Sequence, residues 1–371
     1  MDTKAVPKPP FLTSLCPALV ILLVGLLVVT IAVWRLGGDP LGLARIGTRF
    51  SERDPNGTEG YDGQFIYYIA ADPDPQRVAL HLDVPAYRYQ RILLPLLARA
   101  LALGNQNAIP WTLALLGVLS LAGGTWAVSE LLHTWGVSRW YAPVYGLWSG
   151  FLLALVVDLP EPLAYGLAAG ALLAETRGRK PLAWMLLGLA LFAKEVTMLF
   201  LVALMLVYLN ERRWKDAAGL ALIGLLPFVL FQAWLWATFG EPGIGSGGAM
   251  STPFEIIPFM GLLRIGGYSL VYLLAMLAVF GPAVIFPALW GAWRATRQWL
   301  GGERNIIVAG LFFNALVIAF TPFSTFRETG GMLRFASGLV LALLLFAGRY
   351  RITRALNYSI FWIVLNVFLL K

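Results

Sequence analysis

The chain has 371 residues, 59% of them hydrophobic and only 13% charged, with a mean hydropathy of +0.73, which is too much apolar surface for a soluble globule. Its net charge of +8 lies in short basic clusters beside apolar runs, the distribution that orients membrane helices, so nucleic acid is excluded as a partner. One cysteine, Cys16, cannot make a disulfide framework, and two histidines, His81 and His133, cannot make a histidine-rich metal site.

The expected fold is all-α, a polytopic bundle forming a single transmembrane domain over residues 1–371. Lys4 and Lys8 precede a run that continues to Trp34 without a small-x-small cleavage pattern, which reads as an anchor helix and not as a removable signal. A hydrocarbon core of about 30 Å needs about 20 apolar residues in helix. By that measure spans are expected near 15–35, 108–132, 141–157, 162–175, 217–239, 267–292, 305–321, 332–348 and 356–370.

The run from Pro181 to Leu209 is different, because Lys194-Glu195 interrupts it at the middle. As one straight helix it would measure about 43 Å. Arg177, Arg179 and Lys180 precede it and Arg212, Arg213 and Lys215 follow it, so the positive-inside tendency puts both ends in the cytoplasm and makes the run a hairpin. That brings the expected total to about 11 membrane helices. With the amino terminus inside, the loop 37–106, Asp158 and Glu161, Lys194-Glu195, the Gly240–Arg264 loop and Arg327-Glu328 all face the extracytoplasmic side. The glycine-rich stretch Gly243–Gly248 reads as a mobile loop.

The polar island from Gly37 to Gln90 lies within that first extracytoplasmic loop. Asp62 precedes a short segment, Gln64–Ala70, closed by Asp72-Pro73-Asp74-Pro75, so a brief helix starts near it. Asp62 is then either that helix's N-cap or a carboxylate available as general base or metal ligand. Asp83 and Pro85 start a second helix that Gly104 ends, with a kink expected at Pro95. Arg88, Arg91 and Arg99 share one sector of it. Arg99 suits lipid headgroups, whereas Arg88 and Arg91, beside Tyr87, Tyr89 and Gln90, suit a phosphate.

Lys194-Glu195 at the hairpin apex is either a self-neutralised pair or part of a site. Asp158 and Glu161 lie in an external turn, and Arg327, Glu328 and Arg334 join two spans on the same face; for both groups an ordinary loop is the competing reading. Glu130, His133 and Trp135 anchor a cytoplasmic helix end.

The combination Tyr61-Asp62-x-x-x-x-Tyr67-Tyr68-Ile69-Ala70, followed by Tyr89-Gln90-Arg91-Ile92-Leu93-Leu94-Pro95-Leu96, resembles the first external loop of multi-spanning C-type (GT-C) glycosyltransferases. Within them it is most similar to the glycosylphosphatidylinositol mannosyltransferase type and related bacterial membrane proteins. The likeness covers residues 60 to 100. Tyr61 stands where tryptophan is usual, and Arg91-Ile92-Leu93-Leu94-Pro95 replaces a more aromatic stretch. The resemblance implies a polyprenyl-phosphate-linked sugar donor used outside the cytoplasm, inversion at the anomeric carbon, and Asp62 as base. A bacterial inner membrane is the expected location.

On this reading Asp62 takes a proton from an acceptor hydroxyl on a glycan, lipid or protein, while Arg88, Arg91 and Lys194 stabilise the leaving phosphate. Tyr61, Gln64, Tyr67, Tyr87, Gln90, Asp158, Glu161, Glu195, Arg327, Glu328 and Arg334 complete the expected substrate-binding set, with membrane lipids around it. A magnesium or manganese ion bridging Asp62 and Asp158 or Glu161 is an open alternative. The rival function is a transporter or flippase of a lipid-linked substrate, to which an interrupted, charged membrane segment also belongs.

Overall fold

The computed structural model describes residues 11–369, so Lys4, Lys8 and the end of the last expected span at Leu370 lie outside the described residues. Among the described residues every regular element is helical. The first, α1, spans Phe11–Arg35 and ends on Arg35 after an uncharged run. In the island that follows, α2 (Gly63–Ala71), α3 (Pro85–Tyr89) and α4 (Leu93–Leu101) are short. The second island helix is thus two. The break falls at Gln90–Ile92, upstream of Pro95, because proline is tolerated in the first turn of α4, where its missing N–H costs nothing.

Beyond the island, α5 (Ile109–Thr134) packs against α1 and α7 (Glu161–Thr176), with the short α6 (Ser149–Leu155) between. The expected span 141–157 is broken at Leu147 and Trp148, where the buried Trp148 indole donates to the carbonyl of Leu333 at 2.9 Å. Next come α8 (Lys180–Ala193) and α9 (Met198–Asn210), then α10 (Trp214–Phe239), α11 (Leu270–Leu300), α12 (Ile306–Ala319), α13 (Thr329–Phe335) and α14 (Ser337–Arg349). Every residue of α14 from Ser337 to Gly348 is buried, so this helix, apolar all round, forms the centre of the bundle.

Among the described residues four helices are long and apolar enough to cross a membrane: Leu15–Arg35, Gln106–Thr134, α10 and α11. A fifth arises if α13 and α14, bent by 42°, form one span. The larger number expected from hydropathy counts the shorter and broken helices as well.

The run 181–209 is a hairpin. Trp184, near the start of α8, donates its indole N–H to the hydroxyl of Tyr208 near the end of α9 at 3.2 Å. In a continuous helix those residues would stand about 36 Å apart. Lys194 breaks the run in an extended conformation, φ −157° and ψ 119°. The ends of these helices sort the charges. Glu130 with Arg139 and Arg177, Lys180 with Asp216, and Arg213 with Glu175 lie at one end of the bundle. At the other end, reached along α7 and α8, stand Glu161 and Lys194, next to the island.

Candidate functional site

Position 63 explains how the island reaches the bundle. A Cβ on Gly63 would lie 2.2 Å from the carbonyl oxygen of Val157, so only glycine lets α2 begin against the turn between α6 and α7. That contact sets Asp62 over the bundle. The residue occupies the N-cap position but has helical dihedrals, φ −56° and ψ −28°, and its side chain caps nothing. Its carboxylate is turned toward two arginines instead, with Oδ1 3.0 Å from Nη1 of Arg88 and Oδ2 3.4 Å from Nη1 of Arg334. The side chain keeps 30% of its surface accessible. Burial pushes the carboxyl up, but Arg88, Arg334 and Arg91 outweigh it and hold the group at about 2, so it is ionised at neutral pH.

The cations expected to await a phosphate already have partners. Arg88 grips Asp83 with two bonds, Nε to Oδ1 at 2.6 Å and Nη2 to Oδ2 at 2.8 Å, and its guanidinium lies 4.3 Å from the Phe65 ring centroid. Arg91 makes the same fork with Glu195, at 2.9 and 2.7 Å, and also donates to the Tyr87 hydroxyl at 2.7 Å. Lys194 does not pair with its neighbour Glu195 but donates to Glu161 at 2.6 Å. Lys194-Glu195 is therefore not self-neutralised; Lys194 pairs with the start of α7 and Glu195 with the turn between α3 and α4. Four buried cations, Arg88, Arg91, Lys194 and Arg334, stand against five carboxylates, Asp62, Asp83, Glu161, Glu195 and, half exposed, Glu328, leaving no excess positive charge.

Arg334 is the least tightly held of the four. It reaches Asp62 at 3.4 Å, Glu161 at 3.6 Å and Glu328 at 3.6 Å, and donates to the carbonyl of Gly330 at 3.3 Å. Glu328 also accepts the Tyr61 hydroxyl at 2.5 Å, and the Arg334 guanidinium lies 5.2 Å from the Tyr61 ring centroid. Burial raises the Tyr61 hydroxyl well above the phenolic range, so it acts here as a donor. Tyr61 and Glu328 border an open groove of about 630 Å³, which runs along Arg45, Ile46, Leu153 and Val157.

Several expected residues serve the scaffold. Gln64 is buried, accepting from the N–H of Gly47 at 3.1 Å and donating to the carbonyl of Glu59 at 2.7 Å, which ties the island loop to α2. Tyr67 packs beside Tyr68, with ring centroids 5.9 Å apart. Gln90 is buried against Gln232 at 3.4 Å. Arg99 does not snorkel to lipid: it donates to the carbonyls of Ala70 and Ala71 at 3.0 and 2.7 Å, closing the end of α2. Arg327 is exposed, with its guanidinium 5.8 Å from the Phe323 ring centroid and its carbonyl accepting the Tyr272 hydroxyl at 2.8 Å. Asp158 is buried in the left-handed region at φ 50°, and neither carboxylate oxygen has a hydrogen-bond partner.

Two parts of the site escaped the sequence. Asp83, expected only to start a helix, is the principal partner of Arg88. The glycine-rich stretch expected to be mobile is packed as a strap across α3. A Cβ on Gly243 would lie 2.7 Å from the Ala86 carbonyl oxygen, Ile244 N–H donates to Gln232 at 2.9 Å, and Ala249 N–H donates to Asp83 at 3.0 Å. Downstream, Thr252 and Ser324 exchange hydrogen bonds of 3.0 and 3.1 Å. The available signal was glycine itself, which permits close backbone approach as readily as mobility.

A divalent ion does not fit these residues. Asp62 and Glu161 are committed to cations, Asp158 is sealed in the interior, and no cluster of three acids, histidines or cysteines suited to a metal occurs among the described residues. Comparison of the chain with protein-family models, curated proteins and solved structures returns no match.

Proposed function

We propose that this chain is a membrane glycosyltransferase of the GT-C kind, a bundle of about 11 membrane helices when shorter ones are counted. On this reading it moves a sugar, with inversion, from a polyprenyl-phosphate donor to an acceptor hydroxyl on the extracytoplasmic face of a bacterial inner membrane. The observation that carries this reading is the position of Asp62, an accessible carboxylate that caps no helix and lies between Arg88 and Arg334. A connecting loop has no need of that arrangement. The resemblance of residues 60 to 100 to the first external loop of such enzymes points the same way.

In the reaction, the acceptor oxygen attacks the anomeric carbon as its proton passes to Asp62. The bond from that carbon to the phosphate oxygen breaks, and the polyprenyl phosphate leaves with the electron pair. Held at about 2, Asp62 is a weak base in the resting protein. The donor corrects this. Its phosphate competes for Arg334, whose carboxylate contacts are all 3.4 Å or longer, and for Nη1 of Arg88, drawing both from Asp62 and raising its proton affinity. Arg91 and Lys194, each bonded to its own carboxylate, position the hairpin apex and add positive potential behind the phosphate.

Asp62→Asn tests the reading. Turnover with a polyprenyl-phosphate sugar should fall about 100- to 10,000-fold while donor binding persists. An active Asp62→Asn protein would remove Asp62 as base. Movement of a lipid-linked sugar across reconstituted vesicles without transfer would replace the enzyme by a flippase.

A further inference from the structure

We infer that the groove beside Tyr61 is a binding site for a neutral polyhydroxy group, the saccharide face of the acceptor. This rests on the glycosyltransferase reading and adds to it a second subsite. At about 630 Å³ the groove falls within the range of small-molecule sites, about 300 to 1,000 Å³. Its apolar lining comes from Ile46, Leu153 and Val157, and its polar lining from Arg45, Thr58, Tyr61 and Glu328. A few polar groups in an apolar lining suit a ring that presents C–H to one side and hydroxyls to its edges. An acyl chain would leave those polar groups unused.

Charge selects a neutral occupant. The Glu328 carboxylate, half exposed at the rim, repels an anion, while Arg45 and, 3.6 Å behind Glu328, Arg334 oppose a cation. A hydroxyl can donate to Glu328 in place of the Tyr61 hydroxyl now bonded there at 2.5 Å. Position links the groove to the chemistry. Arg334 joins Glu328 to Oδ2 of Asp62, whereas Arg88 approaches Oδ1. The acceptor thus comes to Asp62 from the Tyr61 flank, while the donor phosphate takes Arg88 and Arg334 from the two carboxylate oxygens.

The test uses the full chain in nanodiscs and saturation-transfer NMR with methyl glycosides of glucose, galactose, mannose and N-acetylglucosamine. At least one glycoside should bind, and Ile46→Trp, which fills the groove from an exposed position, together with Glu328→Gln, should weaken it at least tenfold. Thermal melting confirms that both variants fold, and Asp62→Asn should retain the glycoside. Absence of every glycoside from the unaltered protein, equal binding to Ile46→Trp, or lipid displaced from the groove by Ile46→Trp without glycoside binding would overturn the assignment. Groove-dependent glycoside binding with no sugar transfer at all would leave the groove standing and sink the transferase.

Discussion

Oδ2 of Asp62 lies 3.4 Å from Nη1 of Arg334, a contact between residues 272 positions apart in the chain. The same guanidinium reaches Glu161 and Glu328 at 3.6 Å, so Arg334 stands at the junction of the island, the base of α7 and the rim of the groove. No other cation of the cluster touches three separate carboxylates.

Arg334 is therefore the cation with most to offer an incoming phosphate. Arg334→Gln should weaken binding of farnesyl phosphate by about 10- to 100-fold, the range of a lost charged hydrogen bond. Arg334→Lys should restore little, because an ammonium lacks the planar fork that serves several oxygens at once. Equilibrium binding in detergent measures both, and unaltered affinity in Arg334→Gln would return the phosphate to Arg88 and Arg91.

The pH dependence has a definite sign. Asp62 is depressed from 3.8 to about 2 in the folded protein, so the stability it contributes is complete above about pH 4 and is lost as pH falls through about 2. In kcat/KM, which reports the free enzyme, Asp62 should give no acidic limb above about pH 3. In kcat an acidic limb should appear at higher pH once the donor phosphate has taken the arginines. Identical limbs in the two profiles would count against the exchange of partners.

Glu195 and Arg91 form a forked pair in which Arg91 is buried and Glu195 partly buried. Glu195→Gln should cost about 3–5 kcal/mol of stability because it strands a buried guanidinium, and the apolar double change Arg91→Met with Glu195→Leu should recover much of that. Thermal unfolding of the purified variants distinguishes the two cases.

Gly243→Ala should disturb the strap without altering any charge. The new methyl would meet the Ala86 carbonyl oxygen at 2.7 Å, pushing the strap away from Asp83 and Gln232. The expected results are faster proteolysis within 243–249 and reduced turnover. Unchanged proteolysis and turnover would show that the strap tolerates the shift.

Orientation can be read by labelling. A cysteine at Lys215 should react with an impermeant maleimide only from the cytoplasmic side, and one at the exposed Glu59 only from the outside. Labelling of both from one side would break the assignment of the two bundle ends to opposite faces.

Much of the architecture was legible in the chain because hydropathy and charge act locally. Apolar runs marked the helices, and basic residues on both sides of 181–209, with Lys194-Glu195 between, required the hairpin that Trp184 and Tyr208 close. The same reasoning brought the island, Glu161, Lys194 and Glu328 to one end. Short-range inference was weakest where two uses of one residue look alike. It left Asp62 open between a cap and a free carboxylate and read Gly243–Gly248 as a mobile loop; the structure turns the first toward arginines and lays the second across α3.

By itself the sequence determined a helical membrane protein whose unusual polar segments converge on one end. Only the tertiary structure decided the partners: Arg88 with Asp83, Arg91 with Glu195, Lys194 with Glu161, and Arg334 shared among three acids. Composition can supply equal numbers of each sign, but pairing depends on distances of a few ångströms between residues far apart in the chain. Those distances are set by packing contacts, such as Gly63 against Val157 and Trp148 against Leu333, that hydropathy cannot register.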